Sequence, residues 1–423
     1  MPFGTIQGPL QLDGRLDLLG RTRKHQAPAL SHGLGALLTT ALVVAASVGL
    51  ALAGGAAASA GAAPRAAASR APTTPPLSSN QLKYLKLAVN GVKATSRWWD
   101  PKYNWYIEYL GDGKKYPQAS IWDIVPLFEA ENEIAIAQPT ANNRSAVAAF
   151  ATHAEDYWNP DLQPTPGYAP YPGDLAANQI TWFDDNGWLG LAFMDADTAT
   201  GSTSFLGDAE RAFNFINAHG WDASAGGGMW WNTYHPVRSG EALAADTDLA
   251  ARLYLATGNR SYLGSAEKWV SWAQAHLHSH RTGLFSQRIR NSVQVPNDGE
   301  GALVAAFATL CKATGNRSWC GRAESLATAD VRWLAPFNEG PQYETILVRG
   351  LLTLYSYDHR AKWYKFAVAQ ANRVLKHART APATYLRNWN GAASFPNAVP
   401  NMLRTDAASV SLFADLATVA PPK

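Results

Sequence analysis

Thr257-Gly258-Asn259-Arg260-Ser261-Tyr262-Leu263-Gly264-Ser265-Ala266-Glu267 has two relatives within this 423-residue chain. Thr200-Gly201-Ser202-Thr203-Ser204-Phe205-Leu206-Gly207-Asp208-Ala209-Glu210 precedes it, and Thr314-Gly315-Asn316-Arg317-Ser318-Trp319-Cys320-Gly321-Arg322-Ala323-Glu324 follows it. Gly201, Gly258 and Gly315 are each 57 residues apart. A fixed period of this size marks a repeat architecture. In each copy a glycine after an apolar periodic run suits the left-handed residue that ends a helix. Ser204, Ser261 and Ser318 then suit the N-cap of the next helix. Around the second copy, Leu243, Leu249, Leu253 and Leu255 before the turn, and Trp269 and Trp272 after it, recur at helical spacing. Each unit is therefore a helical hairpin, and strand-like alternation is weak everywhere.

The 342 residues from Leu82 to Lys423 hold six such periods. Further helical stretches are predicted over 82–96, 118–137, 143–157, 341–358, 361–378 and 404–417. Six helical hairpins closed into a ring make an all-α (α/α)6 barrel. The alternative is an open solenoid of helix pairs, which would show more uniform repeats and capping units.

Outside the repeat, Arg21, Arg23 and Lys24 precede an apolar run from Leu34 to Ala53, and Ala58-Ser59-Ala60 follows as an A-x-A cleavage motif. Residues 1–60 are expected to be a signal peptide or, since the run is long enough to span a bilayer, an N-terminal membrane anchor. The Ala/Pro/Ser-rich segment 61–81 is expected to be a flexible linker, leaving 82–423 as the folded domain of a secreted or anchored protein. A net charge of +3 includes the basic leader, so the remainder is nearly neutral and no nucleic-acid partner is expected. Cys311 and Cys320, the two cysteines, flank a helix-to-helix turn and are either a disulfide or a pair of free thiols. They cannot form a CxxC metal site, and His219, His235 and His377 are isolated, so no metal and no cofactor is called for. Asn143-Arg144-Ser145, Asn259-Arg260-Ser261 and Asn316-Arg317-Ser318 match glycosylation sequons but are read as turns.

The register places the chemistry. Seventeen residues before each turn glycine stand Asp184, Glu241 and Asp298. In a closed barrel these helix starts gather at one mouth, where the loops bring Trp182, Trp230-Trp231-Asn232 and the residues from Gln294 to Asn297. Aromatic and amide groups beside acids are the makings of a sugar site. A single acid in a first turn is also explained by helix capping and the helix dipole, about 0.3–1 kcal/mol. Two adjacent acids, Asp184 and Asp185, exceed that need, because they repel and one cap suffices.

Phe183-Asp184-Asp185-Asn186-Gly187-Trp188 and Gly227-Gly228-Met229-Trp230-Trp231-Asn232, followed by Ala250-Ala251-Arg252-Leu253-Tyr254 and Thr257-Gly258, resemble the blocks of glycoside hydrolase family 76, the bacterial endo-α-1,6-mannanases. Two departures stand out. Asp298-Gly299-Glu300-Gly301 replaces a Tyr-Asn-Gln-Gly pattern, and Phe183 replaces a tyrosine. The resemblance implies an (α/α)6 barrel that cleaves α-mannan with retention of configuration, with Asp184 as nucleophile and Asp185 as general acid/base. Trp182, Trp230 and Trp231 would stack on sugar rings, Asn232 and Asp298 would bind hydroxyls, and the protein would act as a monomer. Rival readings are a non-catalytic cell-wall glycan binder and an α/α-barrel hydrolase of uronic acid-containing glycans. The latter needs a basic pocket, for which Arg238 and Arg349 are the candidates.

Overall fold

The computed structural model describes residues 76–110, 118–288, 297–334, 340–381, 383–391 and 402–423. The expected leader, most of the linker, and Gln294 to Pro296 lie outside them. Twelve α-helices are present among the described residues. They are α1 (Ser79–Thr95), α2 (Ile121–Ala137), α3 (Ala141–Ala154), α4 (Phe183–Thr200), α5 (Thr203–His219), α6 (Gly240–Thr257), α7 (Arg260–His276), α8 (Asn297–Thr314), α9 (Arg317–Trp333), α10 (Pro341–Asp358), α11 (Ala361–Arg373) and α12 (Leu403–Thr418).

The even-numbered helices form the inner ring. In α2, α4, α6 and α12 nearly every residue is buried, whereas α1, α3, α5, α7, α9 and α11 each bury one stripe. A helix that is buried all round belongs inside a second layer of helices. Each inner helix packs on the next, from α2 through α4, α6, α8 and α10 to α12, and α12 packs back on α2. That last contact closes the ring. The molecule is an (α/α)6 barrel, not an open solenoid.

The repeated turns have the expected glycines but different caps. Gly201, Gly258 and Gly315 have φ of 73°, 70° and 67°, the left-handed region that only glycine enters freely. The N-caps lie two residues earlier than Ser204, Ser261 and Ser318. They are Ser202, Asn259 and Asn316, and the two asparagine side chains accept from the Ser261 and Ser318 amides at 3.0 Å. The left-handed glycine reverses the chain so sharply that the very next residue can cap. Asn259 and Asn316 thus stand in turns as expected, while Asn143 lies inside the first turn of α3, capped by Thr140 at 3.1 Å. The turn of the third copy is closed by a disulfide between Cys311 and Cys320. At the other end of the domain, α1 starts at Ser79, within the segment expected as linker, because Ser78 and Gln81 form a reciprocal capping box.

Three short two-stranded ribbons, Trp99–Asp100 with Trp105–Tyr106, Trp158–Asn159 with Gly167–Tyr168, and Arg379–Ala381 with Thr384–Tyr385, strap loops between helices. The fourth residue of every second inner helix grips a strap, either one of these ribbons or, for α8, the isolated bridge between His278 and Phe285. Asn186 of α4 accepts from the Tyr168 amide at 3.0 Å, and Asp406 of α12 accepts from the Tyr385 amide at 2.9 Å. Glu300 of α8 accepts from the Phe285 amide at 2.8 Å.

Candidate active site

The second residues of the six inner helices are Trp122, Asp184, Glu241, Asp298, Gln342 and Arg404. Every inner helix also carries an acid in its first turn: Asp123, Asp184 with Asp185, Glu241, Asp298 with Glu300, Glu344 and Asp406. None of the six outer helices does. A helix dipole would favour acids equally in both layers. Burying a carboxylate also costs far more than the dipole returns, and Asp123, Asp184, Asp298, Glu344 and Asp406 are all fully buried. First-turn acids are thus a feature of the inner ring, where they serve different ends: Asp123 completes a capping box with Ser120, and Glu300 and Asp406 hold neighbouring loop amides. Asp184, Glu241 and Asp298 stand on three neighbouring helices, as the register predicts.

The Asp184–Asp185 sector is built by one loop. Residues 229–239 fold back on themselves, with Trp230 bridged to Arg238 and the Trp231 amide donating to Val237 at 3.0 Å. The same loop is pinned to the entry of α4. Trp182 bridges Asn232, the Phe183 amide donates to the Trp231 carbonyl at 3.1 Å, and the Thr233 amide donates to Thr181 at 3.0 Å. This docking brings the Trp231 indole N–H to Asp184 Oδ2 at 3.2 Å, while the Asp185 amide donates to Asp184 Oδ1 at 3.1 Å. Both oxygens of Asp184 thus receive N–H donors, which favours the ionised form and fixes its orientation. Trp182 and Trp231 are half-buried. Trp230 is occupied within its own loop. The Arg238 guanidinium lies 4.4 Å from its ring centroid and the His235 ring stacks at 5.0 Å. Asn232 is buried, with its side-chain oxygen accepting from the Tyr234 amide at 2.9 Å.

Asp298 lies fully buried in the first turn of α8, accepting from the Gly299 amide at 2.8 Å. Glu300, two residues on, serves the wall. Besides gripping the Phe285 strap, it faces Asp330 of α9. Burial, and then the Asp330 charge, push the Glu300 carboxyl well above its ordinary range, and burial does the same to Asp330. Gly301 is required by a close approach, since a Cβ there would fall 2.5 Å from the Ile346 carbonyl.

Several site groups are not apparent from sequence. Asp246 of α6 is fully buried, and its oxygens have no hydrogen-bond partner among the described residues. It packs on Gly187, where a Cβ would come within 2.6 Å of Asp246 Oδ1. Burial, then the charge of Asp184, push its carboxyl well above the usual range. Across the mouth, Arg404 pairs with Asp123 at 3.2 Å and Glu108 at 3.7 Å. Trp122, the second residue of α2, meets Tyr343 of α10 at 5.7 Å and, one turn further down, Trp188 of α4 at 6.2 Å, so rings from three inner helices form a floor. The only available signal was their register in the inner helices.

Arg238 and Arg349, the cations a uronic acid pocket would need, are engaged elsewhere. Arg238 binds Asp222 at 2.5 Å. Arg349 sits in the ninth position of α10, below the floor, paired with Glu129, Asp195 and Glu133 and 3.8 Å from Asp415.

The glycosyl hydrolase family 76 model matches residues 168–349, which span α4 to α10 and hold Asp184, Trp231 and Asp298. The chain is 29% identical over 172 residues to the mannan endo-1,6-alpha-mannosidase DFG5 of Candida albicans, a match covering 36% of this chain and 38% of that protein. The chain thus spans well under half the length of the curated relative it matches. Among solved structures, it superposes on the GH76 alpha-mannanase BT2949 of Bacteroides thetaiotaomicron with a TM-score of 0.71 at 19% identity, covering 80% of this chain and 95% of that one. The GH76A alpha-1,6-mannanase of Salegentibacter sp. HEL1_6 gives a TM-score of 0.65 at 18% identity, covering 79% and 99%. An inactive variant of the Salegentibacter protein, with two consecutive aspartates replaced by alanine, was solved in complex with alpha-1,6-mannotetrose. At these identities the superpositions speak for the fold.

Proposed function

We propose that this chain is a secreted glycoside hydrolase that cleaves α-1,6-mannosidic bonds by a retaining mechanism, acting as a monomer. The observation that carries the reading is the buried Asp184–Asp185 pair, with the Trp231 indole and a backbone amide both donating to Asp184. These donors suit Asp184 to the nucleophile, which must be ionised to attack the anomeric carbon. Asp185 then protonates the departing sugar oxygen and, in the second step, takes a proton from water. The Salegentibacter variant lacking two consecutive aspartates, inactive yet bound to an α-1,6-mannan fragment, supports the substrate class and the pairing of roles. Trp231 and Trp182 supply aromatic faces at the mouth, and Asp298 supplies an acceptor for hydroxyls. Trp230, braced by Arg238 and His235, steadies the loop that carries Trp231.

Release of reducing ends from α-1,6-mannan, followed by proton NMR of the first-formed anomer, tests the proposal. Asp184→Asn and Asp185→Asn are each expected to lower kcat by about 100-fold or more. Wild-type turnover in both variants, or an inverted anomer as the first product, would refute this assignment. Glycan binding without any product would make the protein a binder and not an enzyme.

A further inference from the structure

The loop that brings Trp231 to Asp184 ends in a turn whose tip plays no part in that contact. The His235 amide donates to the Asn232 carbonyl at 2.9 Å, which closes a β-turn over residues 232–235 with Tyr234 at its third position. Tyr234 is 74% exposed, more than any other large hydrophobic side chain among the described residues. Its hydroxyl has no hydrogen-bond partner there, and its ring no aromatic or cation partner.

A lone exposed aromatic is ordinary. The footing of this one is not. Asn232 is buried, and its side-chain oxygen holds the Tyr234 amide at 2.9 Å. Thr233 is tied to the neighbouring loop in both directions, its amide donating to the Thr181 carbonyl at 3.0 Å and its hydroxyl accepting from the Thr181 amide at 3.1 Å. His235 is held at φ 55°, a left-handed conformation that is strained for a residue with a side chain and persists only where its surroundings impose it. All of these bonds use the backbone at position 234, so none of them calls for a ring there.

The place of the ring supplies a reason. The chain between Trp231 and Tyr234 cannot span more than about 11 Å, and Thr233 between them is fastened one residue before Trp182. Tyr234 therefore stands on the rim of the mouth, continuous with the groups at Asp184. The half-buried Gln179 lies across from Thr233 and adds an amide. A phenol ring offers a flat apolar face to a pyranose and a hydroxyl at its edge, and tyrosine loses little conformational freedom when covered. One ring among polar loops falls far short of a protein interface, which takes about 800 Å² from each partner. A glycan chain, one ring wide, needs only successive footholds.

We propose that Tyr234 is an outlying platform for the same glycan, stacking on a sugar ring beyond the one at Asp184, so that the mouth prefers long α-1,6-mannan segments to short ones. This rests on the reading of the mouth as an α-mannan site. The stitched turn fixes the distance of the platform from Asp184, and a chain too short to reach it forgoes the contact. Tyr234 sets length preference and takes no part in bond cleavage.

The test is calorimetric titration of the full chain carrying Asp184→Asn, which holds substrate without turnover, with α-1,6-mannobiose and α-1,6-mannohexaose. The hexaose is expected to bind more tightly. Adding Tyr234→Ala is expected to weaken hexaose binding about ten-fold, the loss of one covered aromatic face, and to narrow its advantage over the biose by that factor. Tyr234→Phe keeps the face and is expected to keep the advantage. Equal binding of the two sugars, an advantage that survives Tyr234→Ala, or one that Tyr234→Phe loses as fully as the alanine would overturn the platform and leave the mannan site standing. Binding of neither sugar by the Asp184→Asn chain would overturn the mannan reading and the platform with it.

Discussion

Asp184 is held from two sides, by the side chain of Trp231 and by the amide of Asp185, and each bond lowers the free energy of its ionised form. Trp231→Phe keeps the ring and removes the indole N–H. Its kcat is expected to fall about ten-fold, the low end for a hydrogen bond to a charged group. Wild-type kcat in this variant would show that the indole does not act on the carboxylate. The partners of this bond could be read from the chain because each sits in a contiguous motif, Asp184-Asp185 and Trp230-Trp231-Asn232. Asp246 could not. It lies about one helical turn beyond Glu241, in a run of alanines and leucines, and acquires significance only where α6 meets Gly187 of α4. Arg404 and Trp122 escaped for the same reason, since each reaches the mouth from a helix with no local motif around it. Trp230 is placed differently from its neighbour. Adjacency to Trp231 suggested a second platform, yet successive residues of an extended segment point to opposite faces, and its ring meets Arg238 and His235 instead.

In α4, α8 and α12 the first turn is used in a regular way, the second residue serving the mouth and the fourth gripping a neighbouring loop. Two residues on a helix are about 200° apart, so Asp298 and Glu300 look in nearly opposite directions. This explains the acidic departure near the third hairpin. Sequence marks it as an altered site, whereas only Asp298 belongs to the mouth and Glu300 secures the Phe285 strap and faces Asp330. Glu300→Ala leaves the buried Phe285 amide without an acceptor and is expected to lower unfolding stability by about 1–3 kcal/mol. Glu300→Gln retains a carbonyl and is neutral, as the native carboxyl tends to be, and should cost less than half as much. Equal losses in denaturant titration would show that the strap does not depend on the acceptor. The three repeated turns were legible because glycine fits their left-handed backbone most easily, whereas the α10–α11 turn, which places His359 at φ 56°, carries no such mark; the caps were misplaced by two residues because asparagine and serine both qualify and spacing does not choose between them.

Across the molecule, polar layers alternate with apolar ones along the barrel axis, and the lower layer makes stability depend on pH. Burial pushes the Glu133 and Asp248 carboxyls up to about 7, against the opposing pull of Arg349 and Arg252. Asp406 is likewise raised by burial to about 7. Each holds its proton more tightly in the native chain than in the unfolded one. The stability they contribute is full below about pH 4 and is lost as pH rises toward 7. Asp195 runs the other way, since burial is outweighed by Arg252 and Arg349, which hold its carboxyl low. Its contribution is present at neutral pH and lost only in strong acid. Unfolding stability is therefore expected to fall between about pH 4 and 7, by on the order of 2 kcal/mol per raised group, and a melting temperature that rises steadily over that window would contradict the assignment. The seam between α2 and α12 adds a constraint in time. Arg404 and Asp123, joined across it, lie 281 residues apart in the chain. At a synthesis rate of about 5–20 residues per second, α2 waits on the order of tens of seconds before its neighbour exists, with its apolar flank uncovered. A chain ending before Met402 is the permanent form of that intermediate. It should bind a hydrophobic dye and melt without cooperativity, whereas a cooperative melt would mean that five hairpins suffice. The barrel is thus a clasp whose two halves are made far apart, and until they meet the nascent chain depends on whatever shields that flank.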